Sequence, residues 1–200
     1  MPKDGNAVTF WFGDHFTKLH PQLQHLHREG GELLGEVELR YGRGLAGLLG
    51  RRIASKLGLP VERRRCQMHV EIRHSESCLL WKRSFAGGKS MNSNFIPHGH
   101  FPTGHWLEST DKLSLELGVQ VIDGGWHWQQ RQIRFLGVPL PAGLLPHTEA
   151  YKRIEAGQYR FSVAISLPWL GLLFGYAGDL QPKPTSDTHS ADTAATSEPH

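Results

Sequence analysis

From Arg65 onward, hydrophobic residues fall on every second position over several long stretches. Cys66, Met68, Val70 and Ile72 alternate with Gln67, His69, Glu71 and Arg73. Leu113, Leu115, Leu117, Val119 and Val121 repeat the pattern, and so do Tyr159, Phe161, Val163, Ile165 and Leu167. Successive side chains of an extended chain point to opposite faces, so these are strands with one buried and one wet face, the habit of antiparallel sheet. HSES, EST and DGG supply the turns between them, and Asp123 to Gly125 is the strongest hairpin signal. Between 126 and 136 the parity changes: Trp126 and Trp128 lie on one side, Ile133 and Phe135 on the other. A β-bulge near Gln129–Arg131 reconciles them. LGVPLPAGLLP is expected to leave the sheet, because Pro139, Pro141 and Pro146 lack the N–H that a ladder needs.

Before Arg65 the period differs. Phe12, Phe16, Leu19, Leu23 and Leu26 recur at three- and four-residue steps, which predicts helix over 13–28, divided at His20 and Pro21 into two short helices. Val37, Leu39 and Tyr41 mark a half-buried strand in GEVELRYG. Leu45, Leu49, Ile53 and Leu57 predict a helix over 44–57, and Gly44, Gly47 and Gly50 leave one side of it nearly bare, where something packs closely. About nine strand segments result, and a sheet of that size curls or closes. The expected fold class is therefore α+β: a strongly curved antiparallel β-sheet or partly closed β-barrel of about 8–9 strands, packed over N-terminal helices and enclosing a concavity. Residues 12–180 form the single expected domain. Residues 1–11 read as a leader, and 181–200, without a large hydrophobic residue, as a disordered tail.

The formal charge of +3 is unevenly spread. From Arg40 to Arg65 stand eight bases against Glu62 alone. Arg51, Arg52, Arg63, Arg64 and Arg65 are the candidate contacts to an anionic surface such as a membrane, with an ordinary solvated face as the plainer alternative. Few aromatics interleave with these arginines, which argues against nucleic acid. Cys66 and Cys78 make no disulfide scaffold, the start resembles no signal peptide, and LPWLGLLFGYAG is too short and glycine-rich to span a bilayer. The expectation is a cytoplasmic protein, with peripheral membrane attachment as a variant.

One residue conflicts with the pattern around it. In CLLWKRSF, the parity that buries Trp81 and Phe85 also turns Arg83 inward, and an unpaired buried charge costs several kcal/mol. In HWLES, Trp106 and Glu108 share a face, so Glu108 is the first candidate partner. Either the two form a structural ion pair, or Trp81, Arg83, Phe85, Trp106 and Glu108 line a ligand site with Arg83 as the anchor for an anionic or carbonyl-bearing molecule. PHGHFPTGHW, with His98, His100 and His105, lacks a nearby Cys, an HExxH or a second histidine pair at metal-ligand spacing, so it reads as a loop and no metal is expected. No nucleophile elbow, CxxC, dinucleotide fingerprint or P-loop occurs, hence no catalytic residue or cofactor is assigned.

FTKLHPQLQHLH, WKRSF, the Glu108 strand, IRFLGVPLP and FSVAISLPWLGLLFGYAGDL together resemble the bacterial domain of unknown function 4166, over about residues 12–180. The resemblance implies no activity and no catalytic residues. It does imply a partner, because some members look like carboxy-terminal attachments to saccharopine-dehydrogenase-like oxidoreductases or to membrane proteins. The functional expectation is a non-enzymatic module binding a small molecule or lipid in an apolar cavity. Its rivals are an accessory domain to such an oxidoreductase, and a peripheral membrane or scaffold protein using segment 40–65.

Overall fold

The computed structural model describes residues 5–109, 112–141 and 145–183. The chain begins with α1 (Ala7–Phe12), a 3₁₀ helix (Gly13–Lys18) and α2 (Pro21–Glu29), then β1 (Gly31–Tyr41) and α3 (Gly44–Lys56). An antiparallel meander follows: β2 (Arg65–His74), β3 (Leu79–Phe85), β4 (Ser90–His98), β5 (His105–Ser109), β6 (Leu113–Ile122), β7 (Gly125–Phe135), β8 (Val138–Pro139), β9 (His147–Glu155), β10 (Gln158–Leu167) and β11 (Gly171–Pro182). Each strand pairs with its sequence neighbours except at β8, where β9 pairs with β7 directly. β1 pairs with β11, from Leu33 opposite Pro182 to Tyr41 opposite Phe174, which closes the sheet. The result is a closed barrel of ten strands, with the two-residue β8 attached to the end of β7.

Closure and strand number correct the expectation of a partly closed sheet of 8–9 strands. The physical cause is β11. Its Phe174 and Tyr176 face the barrel interior while Leu173, on the other parity, is buried beneath α3. A strand covered on both faces reads as a continuous apolar run, so its alternation is hidden. The predicted bulge is present: Leu117 pairs with Gln130 and Glu116 with Gln132, leaving Arg131 as the extra residue. Asp123 and Gly124, both at positive φ, form the predicted two-residue hairpin turn between Ile122 and Gly125. The proline-rich segment does not leave the sheet at once, because Val138 and Pro139 pair with Phe135 and Arg134 at a barrel edge that needs no further donor.

The helices divide into two groups. α1, the 3₁₀ helix and α2 plug one end of the barrel. Asn6 caps α1 by accepting from the Val8 and Thr9 amides, and its side-chain amide donates to the carbonyls of His27 and Arg28 on α2. Three rim turns then hold the plug: Ala7 N–H donates to Ser75 O, Phe101 N–H to Trp11 O and His20 N–H to Gly124 O. Ala7, Val8 and Trp11 are buried, so these residues of the expected leader belong to the core; residues 1–4 lie outside the described part. Gln181 and Pro182 belong to β11 and Lys183 N–H donates to Glu32 O, so these three residues of the expected tail are part of the fold; residues 184–200 lie outside the described part. α3 instead lies on the outside of the barrel against β11 and β1. Among the described residues no helix is long and apolar enough to cross a membrane.

Candidate ligand cavity in the barrel

Barrel registers order the interior in layers. Nearest the plug lie Leu79, Trp106 and Trp126, each fully buried, and Trp11 and Phe12 of α1 reach down to them with ring centroids 5.3 Å (Trp11 to Trp106) and 5.0 Å (Phe12 to Trp126) apart. Further from the plug, the alternate inward positions of β3, β5, β6, β7, β9 and β10 surround a space of about 90 Å³ whose walls include Trp81, Arg83, Glu108, Trp128, Lys152 and Phe161. Trp81, Phe95, Trp128, Tyr151 and Phe161 give the wall its aromatic part. Three charged groups interrupt it.

Arg83 faces inward as its parity requires, but its partner is not Glu108. One guanidinium nitrogen, Nη1, donates to the Tyr176 hydroxyl at 2.9 Å and Nη2 donates to Ser93 Oγ, while Nε is buried without a partner. The register explains the correction: Arg83 sits opposite Met91 of β4, whereas Glu108 sits opposite Phe95, four residues further along the same strand. Both line the cavity, beyond ion-pair distance of each other. Among the described residues no carboxylate forms an ion pair with Arg83. Burial pushes the neighbouring Tyr159 phenol well above its ordinary range, with the Arg83 charge opposing, so that hydroxyl stays neutral.

The third charged position is one the sequence reading missed. Lys152 projects inward from β9 and is only 1% exposed. Its Nζ lies 2.6 Å from His27 Nε2, and His27 Nδ1 lies 3.2 Å from His74 Nε2, forming a chain from barrel wall to plug and back to β2. The rings of Trp126 and Trp81 flank the same nitrogen at 3.8 and 4.4 Å to their centroids. Among the described residues no carboxylate joins this cluster. Burial therefore pushes the Lys152 amine well below its usual range; burial, followed by the Lys152 and His74 charges, does the same to His27, and His74 is pushed down to about 4 by burial and then Lys152. Part of the signal was available: His74 continues the parity of Cys66 to Ile72 and His27 follows Leu23 by four on α2, whereas the face that Lys152 shares with Thr148, Ala150 and Ile154 does not mark itself as inward.

Of the other expected ligand residues, Trp81 and Glu108 line the cavity. Phe85 packs edge-on against Tyr176, and Trp106 belongs to the plug cluster with Trp11 and Trp126; neither lines the space. The histidine loop serves the plug. His98 and His105 stack at 5.2 Å across the β4–β5 hairpin and Phe101 packs on Trp11 and Phe12. Among the described residues no three side chains of His, Cys, Asp or Glu converge to hold a metal ion. A larger hollow of about 900 Å³ opens at the plugged end of the barrel, between α2 and the inward-facing Leu33, Ile154 and Tyr159 of β1, β9 and β10. It is a surface groove with Lys183, where the described chain ends, at its rim, and it holds no buried charge.

No curated protein matches this sequence. A family model does match, over residues 19–180, from the end of the 3₁₀ helix through the whole barrel. The chain belongs to the family described as Domain of unknown function (DUF4166).

Proposed function

We propose that the barrel is a binding module for a small anionic or carbonyl-bearing molecule, with Arg83 as its anchor and the rings of Trp81, Trp128 and Phe161 against its apolar part. The observation that carries this reading is a half-buried guanidinium in the wall of the barrel cavity with no carboxylate among the described residues in ion-pair reach. An uncompensated interior charge is costly, and an anionic guest offsets that cost in a way the two hydroxyl partners do not. Size restricts the guest. About 90 Å³ is well below the ~300–1,000 Å³ of sites for drug-sized ligands, so the space favours a molecule of few heavy atoms over a lipid acyl chain.

Native mass spectrometry of gently purified protein, compared with its denatured mass, tests the proposal. An added small mass that is present in the wild type and lost in Arg83→Gln, with the thermal midpoint of the variant little changed, is the expected result. Retention of the added mass in Arg83→Gln overturns the anchor role. A variant that merely unfolds more easily while binding normally reassigns Arg83 to the barrel's structure.

A further inference from the structure

On a helix covering a barrel, leucines ordinarily face inward. α3 has the opposite arrangement. Its inner face is made of Ala46, Gly47, Gly50 and Ala54, all buried, while Leu45 and Leu48 are 74% and 70% exposed and Leu49 is also exposed. The glycines fix this orientation. A Cβ on Gly47 would come 2.2 Å from Gly42 O and one on Gly50 would come 2.0 Å from Leu173 O, both fixed backbone atoms. The helix therefore lies closer to the sheet than a leucine-bearing face allows, and the leucines are left outside.

At 100° per residue the outward stripe runs Leu45, Leu48, Leu49, Arg52 and Lys56: apolar in the first two turns, basic in the last two. No acidic residue occurs in α3, and Glu62 is the single acid between Leu39 and Arg65. Arg43 precedes the helix and Arg63 and Arg64 follow it, all exposed. Arg51 differs from these, since its guanidinium donates to Val61 O at 2.8 Å and stacks on Tyr41, and Arg65 lies 3.7 Å from Glu36. Trp169, 66% exposed, tips the β10–β11 turn at the same barrel rim, because Tyr41 pairs with Phe174 and Gly42 N–H donates to Leu173 O beside it.

We infer that α3 is a docking helix that lies flat in the headgroup layer of an anionic lipid surface, with Leu45, Leu48 and Leu49 entering the acyl boundary and Arg43, Arg52, Lys56, Arg63 and Arg64 over the headgroups. Leucine and basic residues on one exposed helix face, with tryptophan beside it, is the composition of an interfacial helix rather than of a protein–protein contact, where lysine is depleted. Charge selects the lipid: a surface without a single acid on the helix is complementary to phosphate-rich, net-negative headgroups. The cavity inside the barrel takes no part in this contact.

Co-sedimentation of the full chain with phosphatidylcholine vesicles containing about one-third phosphatidylglycerol tests the inference, beside vesicles of phosphatidylcholine alone. The wild type is expected to bind the anionic vesicles and to be released by salt. Leu45→Asn combined with Leu48→Asn should abolish binding without lowering the thermal midpoint, since both side chains are in solvent. Arg52→Gln with Lys56→Gln should weaken it on the order of thirtyfold, at ~1 kcal/mol per basic residue near the surface. No binding to anionic vesicles, or binding unchanged in the double leucine variant, overturns the inference. A self-associating wild type that the leucine variant turns monomeric, with no vesicle binding, assigns the face to a second copy instead.

Discussion

Lys152 sets the problem of this molecule at the scale of one side chain. An amine buried to 1% exposure, with a histidine and three tryptophans around it and no acid among the described residues, is either neutral or held as a cation by the rings. Desolvation penalises the ammonium, and cation–π attraction of about 2 kcal/mol offsets only part of that penalty, so the fold holds the amine's proton affinity well below its ordinary value. In the unfolded chain the same group binds a proton below its ordinary value of 10.5. The unfolded state thus binds more protons from that pH down to the depressed native value, and stability rises as pH increases through this window. Thermal midpoints should therefore climb more steeply in the wild type than in Lys152→Met as pH rises toward about 10. Parallel curves would mean that Lys152 is charged in the fold. The sequence made Arg83 legible and left Lys152 hidden for one reason: Arg83 stands among Trp81 and Phe85 on a parity that cannot be mistaken, whereas the face of Thr148, Ala150 and Ile154 is too weakly apolar to show which side is inward. The partner of Arg83 was not legible at all, since strand register decides it and parity carries no register.

At the scale of elements, alternation located the strands covered on one face and missed the meaning of those covered on two. β2, β6 and β10 keep one wet face, so period two appears in their sequences. β11 lies between the interior and α3, and its identity rests on packing that no local pattern displays. The glycines of α3 were readable as a site of close approach, and two of the three make one; Gly44, at φ +55, is instead the helix's first residue with open space about it. This gives a prediction with an unusual sign. In an exposed helix, Gly→Ala stabilises by about 1 kcal/mol. Gly50→Ala should do the reverse and destabilise by about 1–3 kcal/mol, because the new methyl meets the Leu173 carbonyl and α3 must lift from β11. Urea unfolding of the variant reads the sign directly, and a stabilised Gly50→Ala protein would show that α3 is not seated as described.

The ring of ten strands is closed, so apart from the two-residue β8 the barrel has no edge to lose, and its weak point is the plug. The plug is held by three backbone hydrogen bonds to rim turns, by the aromatic cluster around Trp11, and by the chain of Lys152, His27 and His74. Only the last of these titrates between neutral and mildly acid pH. Three basic nitrogen groups face one another there with no carboxylate of the described residues among them, so each proton added is repelled by the next. His74 has its native value pushed down to about 4 from 6.5, which means that the unfolded chain, or a state with the plug released, binds a proton that the closed state refuses between those two values. Stability should consequently fall as pH drops from about 6.5 to about 4, with His27 adding to the loss in the same direction. Because His27 belongs to α2 and His74 to β2, protonation strains the seam between plug and barrel rather than the strand ladders. The early acid transition should accordingly appear in tryptophan fluorescence, which reports Trp11, Trp106 and Trp126 at that seam, while the far-ultraviolet signal of the barrel persists. His74→Gln, which keeps a side-chain polar group and does not titrate, should flatten the fluorescence change over this range. A wild type whose fluorescence and strand signal are lost together, with the same pH dependence in His74→Gln, would place the acid-sensitive contact elsewhere in the barrel.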